Sequence, residues 1–264
     1  MDLRGVTVCI AAYNEERTIA SLVRNLFRTG LTNVIVVDDG SRDSTALEAR
    51  REGAWVLCLR RNSGQWVALR NAFKLALDHG TEVIVTFDAD GQHLPETIPE
   101  LVIPLLSKTA DISIGSRFKE TRFNGKKIRK IGISALNMLM WLMTKHRFTD
   151  CTSGLTAIRA SILMGVLPDL SEPQFGRLEF WLMIAKQFPR IVEIPILVKP
   201  NRFSNKGQLR FALNLIRTVV KTRVRGSNIL GLAFGFNRSE QLFGQADSNR
   251  EGSRKSRLKN QSSV

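Results

Sequence analysis

Two carboxylates one residue apart, Asp88 and Asp90, come directly after the apolar, β-branched run 83–87. Side chains two residues apart in a strand share a face, so both carboxylates can converge on one ligand. Hard oxygen donors in this arrangement suit Mg²⁺ or Mn²⁺, which binds through one or two carboxylates beside substrate phosphates. An acidic turn at the end of a strand is the alternative, since Asp and Gly also favour turns.

Four apolar runs have the length and composition of buried strands. They are residues 6–12, 33–37, 54–59 and 83–87. Helical patterns alternate with these runs, which predicts an α/β fold with a mostly parallel sheet and helices on both faces. The first of the helices is expected over 17–26, with Asn14 as its N-cap.

Polar side chains follow these predicted strands. They are Asn14, Asp38, Asp39, Arg61 and Asp88. Ligands bind beyond the carboxyl ends of parallel strands, so we expect these side chains to share one site. Asp38 and Asp39 can accept hydrogen bonds from a sugar or a base, and Arg60 or Arg61 can offset phosphate charge. A nucleotide with a diphosphate fits this set, although the stretch 38–41 taken alone also fits a β-turn.

The composition indicates an anionic partner. The chain has 264 residues, 43% of them hydrophobic, and a formal net charge of +15. Nucleic acid, a membrane surface or a phosphorylated substrate would match that charge. Cys9 and Cys58 lie in apolar runs and are expected to be buried thiols. No signal peptide and no uncharged run of the ~18 residues needed to span a bilayer is visible, so a cytoplasmic location is expected.

The order of the motifs resembles that of glycosyltransferase family 2. The motifs are A-A-Y-N-E-E at 11–16, V-V-D-D-G-S-R-D at 36–43, R-N-S-G at 61–64 and F-D-A-D-G-Q-H at 87–93. The stretches G-S-R-F at 115–118 and D-C-T-S-G-L at 150–155 resemble the polyprenyl-phosphate branch, which includes dolichol-phosphate mannosyltransferase and undecaprenyl-phosphate glycosyltransferases. The resemblance covers about residues 5–210 and implies the nucleotide-sugar-binding GT-A fold.

The resemblance implies a donor site for a UDP- or GDP-sugar. Its members would be Tyr13, Asn14, Glu15, Asp38, Asp39, Arg61, Asp88 and Gln92. Asp88 and Asp90 would form the D-x-D pair, with Asp90 nearest to a Mg²⁺ or Mn²⁺ cofactor. His93 ends the motif and is interpreted as a loop histidine, because the histidines of the chain show no metal-ligand spacing.

The resemblance also implies contacts to an acceptor phosphate. They would be Arg117, Arg129, Lys130, Arg202 and Lys206. The last two belong to R-F-S-N-K at 202–206, whose spacing departs from the usual R-x-x-G-x-S-K form of the branch. Asp150 is the candidate catalytic carboxylate, and Glu179 is a second candidate.

The implied reaction is an inverting displacement in which an acceptor oxygen attacks the anomeric carbon and a nucleoside diphosphate leaves. A lipid phosphate, such as undecaprenyl or dolichyl phosphate, is already ionised at neutral pH and needs little base catalysis. A sugar hydroxyl, the alternative acceptor, would need a general base within hydrogen-bond reach. Asp150 would orient groups in the first case and remove the proton in the second.

The second half of the sequence indicates a membrane surface. Basic residues dominate 117–130, and the next 14 residues, 131–144, carry no charge. This run is too short to span a bilayer but suits an interfacial helix with Trp141 near the headgroups. A buried helix is the alternative. Residues 199–238 contain nine basic and no acidic side chains, which fits either a basic amphipathic helix on anionic lipid or a solvated face packed on the core.

These patterns divide the chain into three expected parts. Residues 1–207 form the catalytic domain, 208–237 a basic amphipathic membrane-interface segment, and 238–264 a disordered, Ser- and Arg-rich tail. A nucleic-acid-binding protein would explain the charge, but Tyr13 is the single tyrosine and no motif interleaves basic and aromatic residues. An inactive nucleotide-sugar-binding or scaffold protein remains the alternative of another class, since a sequence does not report turnover.

Overall fold

A computed structural model describes residues 2–119, 127–170, 176–187 and 189–199, without the side chains of 127–129 and 186. A seven-stranded sheet with strand order β3-β2-β1-β4-β6-β5-β7 forms the centre of this part of the chain. Its strands are β1 (Val6–Ala12), β2 (Asn33–Asp38), β3 (Trp55–Cys58), β4 (Val83–Asp88), β5 (Ile112–Ser116), β6 (Thr156–Arg159) and β7 (Ile191–Pro195).

Helices cover both faces of the sheet. They are α1 (Ile19–Arg28), α2 (Thr45–Arg51), α3 (Gln65–Asp78), α4 (Ile98–Leu106), α5 (Lys127–Thr144), α6 (Ala160–Met164) and α7 (Gly176–Ile184). Buried side chains of α1, α2 and α4 pack with one face, and those of α3, α5, α6 and α7 pack with the other. The strands β1 and β2 are buried almost throughout, as expected for parallel strands with helices on both sides.

The pairing is parallel except at one strand. β1 pairs in parallel with β2 and β4, β2 with β3, and β5 with β7. β6 runs antiparallel to both of its neighbours, β4 and β5. The predicted mostly parallel sheet with helices on both faces is therefore confirmed, and the antiparallel strand is an addition that the alternation of strands and helices did not predict.

Two local predictions were wrong. Asn14 does not cap the first helix: the cap position is Thr18, and Asn14 lies in the loop before it with a φ of 56°. Cys58 is exposed, because β3 is the edge strand of the sheet, whereas Cys9 on the central strand β1 is buried as expected. Burial raises the pKa of the Cys9 thiol well above its usual range.

The helix over the uncharged run is α5, which carries both a buried and an exposed apolar face. Ile133, Leu136 and Met140 are buried, whereas Ile131 and Met138 are 69% and 60% exposed. In the described residues no helix is both long enough and apolar enough to cross a membrane. The basic segment 208–237 and the tail 238–264 lie outside the described residues, so both remain predictions.

Candidate functional site

The register of three neighbouring strands brings two acidic side chains to one edge of the sheet. Ala12 of β1 pairs with Asp38 of β2, and Ala11 pairs with Asp88 of β4. Asp38 and Asp88 therefore flank the carboxyl end of the central strand. The structure thus places these two predicted site residues where ligands bind in open α/β sheets.

Asp38 and Asp39 are both buried and hold the loops around them. Asp38 accepts hydrogen bonds from the backbone N–H of Ser41, at 3.1 Å, and from its hydroxyl. Asp39 accepts the N–H groups of Ser63 and Gly64 at 2.7 and 2.9 Å. The contacts of Asp39 fix the loop that carries the exposed Arg61 beside the strand end.

The stretch 13–15 forms the neighbouring loop. The N–H of Asn14 donates to the Ser41 hydroxyl at 2.9 Å, and its side-chain oxygen accepts the N–H of Arg42 at the same distance. Glu15 donates its N–H to the Thr45 hydroxyl at 2.8 Å. These three hydrogen bonds tie the loop to the segment after β2. Tyr13 is 42% exposed, so its ring is available to a ligand.

Asp88 is held by a side chain on either side. Gln65 Nε2 donates to its Oδ1 at 3.1 Å, and His93 Nε2 lies 3.6 Å from its Oδ2. Burial raises the pKa of Asp88, but the neighbouring His93 and the charges of Arg177 and Arg117 outweigh it, so the pKa lies below its ordinary value. Asp88 is therefore an anion at neutral pH.

Asp90 lies in an acidic environment. It accepts the backbone N–H of Gln92 at 3.0 Å and also the Gln92 side-chain amide. Burial and then the charge of Asp88 raise the pKa of Asp90, and burial followed by the charges of Asp90 and Asp43 raises that of Glu15. Carboxylates that oppose each other's ionisation in this way are stabilised by a cation between or beside them.

The residues fit a metal that takes most of its ligands from elsewhere. In the part of the chain that the structure describes, no group of three or more His, Cys, Asp or Glu side chains is arranged to hold a metal ion. If a metal binds here, Asp88 and Asp90 would hold it through their carboxylates, with water and substrate phosphates as further ligands. Mg²⁺ commonly binds in this way, through one or two carboxylates.

Arg117 and Asp150 form a buried, bidentate ion pair. Arg117 Nε donates to Asp150 Oδ2 at 2.6 Å, and Nη2 donates to Oδ1 at 2.8 Å. Oδ1 also accepts the Thr152 hydroxyl at 3.0 Å. The Asp150 side chain is completely buried and that of Arg117 is 13% exposed. Both oxygens of the candidate catalytic carboxylate are therefore occupied.

The ion pair stabilises the charged form of Arg117. Burial lowers the pKa of Arg117, but its hydrogen bonds to Asp150 and the charge of that carboxylate outweigh burial and raise it above the ordinary value. Glu193 of β7 holds the same loop from outside, because its carboxylate accepts the N–H groups of Thr149 and Asp150 at 2.8 and 3.3 Å. Asp150 is thus held through its backbone N–H as well as through its side chain.

The remaining residues predicted for catalysis or acceptor binding lie on helices or outside the described residues. Glu179 is buried in α7, with 3% of its surface exposed. Lys130 is exposed on α5, and Arg129 belongs to the same helix, with a side chain outside the description. Arg202 and Lys206 also lie outside the described residues. The roles predicted for these five residues, like those of the donor and metal ligands, remain predictions.

Three residues of the site were not singled out as functional from the sequence. Gly154 is packed against Asp88, and Arg177 on α7 contributes to the potential at both Asp88 and Asp150. His93, interpreted as a loop residue, is 5% exposed, and its Nδ1 has no hydrogen-bond partner in the described part of the chain. Gly154 belongs to the D-C-T-S-G-L stretch, and Arg177 lies two residues before Glu179. Only the tertiary structure shows that both lie near Asp88.

Comparison with known proteins decides the family. A sequence model described as "Glycosyl transferase family 2" matches residues 7–167, which run from β1 through β6 and include both members of the Arg117–Asp150 pair. The chain belongs to glycosyl transferase family 2. It is a glycosyltransferase with the GT-A fold, which confirms the family and the fold expected from the motifs.

Among the similar curated proteins are two transferases named for dolichyl phosphate and undecaprenyl phosphate. An uncharacterised protein of Methanocaldococcus jannaschii is 36% identical over 72% of this chain and 80% of its own length. UDP-N-acetylglucosamine–dolichyl-phosphate N-acetylglucosaminyltransferase of Methanococcus voltae is 31% identical over 72% of this chain and 84% of its own length. Undecaprenyl-phosphate mannosyltransferase of Micrococcus luteus is 33% identical, over 74% and 83%. These names are consistent with the polyprenyl-phosphate branch.

Solved structures show the same fold in a more distant glycosyltransferase. Glucosyl-3-phosphoglycerate synthase from Mycobacterium tuberculosis, in complex with Mn²⁺, UDP and glucosyl-3-phosphoglycerate, superposes with a TM-score of 0.65 at 18% identity. The match covers 83% of this chain and 80% of that chain. At this level of identity the similarity establishes the fold.

Proposed function

We propose that this glycosyltransferase transfers a sugar, with inversion, from a nucleoside-diphosphate sugar to a polyprenyl phosphate. The observation that carries the proposal is the state of Asp150, which is fully buried and has both oxygens bonded to Arg117 and Thr152. A carboxylate held in this way is poorly placed to take a proton from a hydroxyl. A phosphate acceptor needs no such base, because it is already ionised at neutral pH.

The relatives support the same acceptor. The Methanococcus voltae and Micrococcus luteus enzymes are named for transfer to dolichyl phosphate and undecaprenyl phosphate. The charge distribution at the strand ends also suits two anionic substrates, since Arg117 and Arg177 both lie close enough to influence Asp88. In this arrangement Asp150 is a positioning residue that fixes the Arg117 guanidinium.

We further propose that the donor binds with Mg²⁺ or Mn²⁺ at Asp88 and Asp90. When bound, the metal would neutralise the charge that develops on the leaving diphosphate. Hydrogen bonds hold both carboxylates. The Gln65 side-chain amide donates to Asp88 at 3.1 Å. The backbone N–H of Gln92 donates to Asp90 at 3.0 Å. The M. tuberculosis neighbour was crystallised with Mn²⁺ and UDP, which supports this choice of cofactor and donor class.

A membrane-bound acceptor requires the enzyme to reach a lipid surface, and α5 offers a suitable face. Ile131, Met138 and Leu142 recur at the spacing of one helix face and are 69%, 60% and 52% exposed. Arg147 lies over the Trp141 ring at 5.6 Å. Aromatic and apolar side chains beside exposed cations favour anionic bilayers. We propose peripheral attachment through this face, on the cytoplasmic side of the membrane.

A panel of UDP- and GDP-sugars tests the proposal. Each donor is incubated with Mg²⁺ or Mn²⁺, with and without undecaprenyl phosphate in detergent, and both free and lipid-linked sugar are measured. Sugar on the lipid with at least one donor is the expected result. Slow donor hydrolysis without lipid product would favour a carbohydrate hydroxyl as acceptor, and binding without any turnover would favour a scaffold protein.

A further inference from the structure

Arg177 is a partly buried cation in the first turn of α7, next to the proposed transfer site. The helix lies very close to α3 at this point: a β-carbon on Gly176 would lie 2.6 Å from Cγ of Trp66. The Arg177 guanidinium carbon lies 5.6 Å from the centre of the same Trp66 ring. Glycine at 176 thus permits the contact that places the neighbouring arginine over an aromatic face.

Nothing in the described part of the chain neutralises Arg177 by direct contact. Its one hydrogen bond there runs from Nη1 to the Thr156 hydroxyl, at 3.3 Å, and no carboxylate of those residues lies within 4.0 Å. Arg117, by contrast, has Asp150 as a bidentate partner. Among the described residues, the site thus contains one arginine with a carboxylate partner, Arg117, and one without, Arg177.

Burial and charge act on Arg177 in opposite directions. Burial lowers the pKa of the guanidinium, and the carboxylates of Asp88 and Asp150 raise it without restoring the ordinary value. Arg117 adds a repulsive charge that lowers it further. A partly buried cation in this state is stabilised when an anion binds to it, because the anion replaces the lost hydration.

We propose that Arg177 binds a substrate phosphate at the transfer site. A guanidinium is suited to this role because its planar fork can donate two hydrogen bonds to one phosphate. The inference rests on the proposed function, in which two phosphates meet at this site: the monoester of the lipid acceptor and the leaving diphosphate of the donor. The acceptor phosphate is the expected partner, because the proposed metal at Asp88 and Asp90 would neutralise the diphosphate.

The test compares Arg177→Met, which keeps apolar contact with Trp66 but removes the charge, with Arg177→Lys, which keeps the charge without the fork. Arg159→Met is the matched control. This arginine has a 26% exposed side chain and lies at the opposite end of the sheet, where it pairs with Val83 at the start of β4. For each variant we would measure the KM for undecaprenyl phosphate and the Kd for the nucleoside diphosphate of the active donor with its metal.

For Arg177→Met we expect the KM for undecaprenyl phosphate to rise about tenfold or more, since a charge-assisted hydrogen-bonded pair is lost. The Kd for the nucleoside diphosphate should stay close to that of the wild type, and Arg177→Lys should recover part of the loss. A rise in the Kd instead would also support phosphate binding, with the donor as the source. If both constants match the wild type while Arg177→Met remains folded, the inference is overturned.

The wild type in the same experiment separates this inference from the proposed function. If the wild-type enzyme transfers no sugar to undecaprenyl phosphate, the proposed function has failed. The Kd values for undecaprenyl phosphate and for the nucleoside diphosphate, each measured for the wild type and Arg177→Met, then decide whether Arg177 binds phosphate. If Arg177→Met does not fold, Arg177→Lys tests the bidentate contact by itself, because lysine keeps the charge but lacks the planar fork. A rise in either constant is then expected, and wild-type values of both would overturn the inference.

Discussion

Gly154 and Asp88 approach each other so closely that no side chain fits between them. A β-carbon on Gly154 would lie 1.7 Å from Oδ2 of Asp88 and 2.3 Å from its Cγ. A hydrogen bond also holds this position, since the Gly154 carbonyl accepts the hydroxyl of Thr86 in β4 at 2.8 Å. The segment that carries Asp150 is therefore packed directly against the first carboxylate of the D-x-D pair.

We predict that Gly154→Ala lowers the rate of transfer by about a hundredfold, because Asp88 must move and a shift of 1 Å in a catalytic group has effects of this size. Gly132→Ala on α5 is the control: an added β-carbon there meets no atom within 4 Å, and alanine favours a helix. Steady-state kinetics of both variants checks the prediction. Equal activity in the two variants would contradict the packing of Gly154 on Asp88.

The Arg117–Asp150 pair should be as important for stability as for activity. Asp150→Asn leaves a buried guanidinium without its charge partner, and we expect the free energy of unfolding to fall by about 3 kcal/mol. Urea unfolding, followed by circular dichroism, measures this. Arg51→Ala, which breaks an exposed pair with Glu48, should cost less than about 1 kcal/mol. Loss of activity in Asp150→Asn with wild-type stability would instead support a free general base.

Metal binding should depend on Asp90. In the wild type, Mn²⁺ with the nucleoside diphosphate should raise Tm, because a ligand that binds only the folded state stabilises it. Asp90→Asn removes one of the two proposed metal ligands, so the Mn²⁺-dependent part of the shift should disappear, together with transfer. Asp111→Asn, at the other end of the sheet, is the control and should keep the shift. A wild-type Mn²⁺ response in Asp90→Asn would rule out this ligand.

The exposed apolar face of α5 should bind lipid. We predict that the double variant Ile131→Glu with Leu142→Glu binds anionic vesicles at least about tenfold more weakly, since each exposed side chain contributes roughly 1.5–3 kcal/mol when it is fully buried. Leu47→Glu with Ile103→Glu makes the same two changes at side chains of α2 and α4 that are 47% and 46% exposed. Vesicle co-sedimentation compares them. A loss of binding that is equal in both would point to net charge as the cause.

The first four strands could be predicted because each is a continuous apolar run, a pattern typical of buried parallel strands. β3 has this pattern although it lies at the edge of the sheet and is exposed at Trp55 and Cys58. β6 and β7 lack the pattern: β6 includes Thr156 and Arg159, and β7 includes Glu193 and Pro195. Their pairing depends on contacts distant in sequence. The acidic side chains at the strand ends could be predicted for the same reason as the strands that carry them.

The parts of the site that the sequence did not reveal depend on tertiary contacts. Gly154 matters because of Asp88, 66 positions earlier, and no local pattern of glycine indicates a close approach to a particular carboxylate. Arg177 lies within an ordinary helical pattern, and its lack of an ion-pair partner in the described residues is visible only when its neighbours are known. Asp150 was expected as a catalytic carboxylate, but its pairing with Arg117 could not be read from their spacing.

The most direct test of the account is a comparison of two acceptors that differ by one group, undecaprenyl phosphate and undecaprenol. The wild-type enzyme, its active donor and its metal are used with each lipid, and lipid-linked sugar is measured over time. We predict product with the phosphate and none with the alcohol, because Arg117 and Arg177 offer cations and Asp150 offers no free base. Transfer to undecaprenol at a comparable rate would contradict the account.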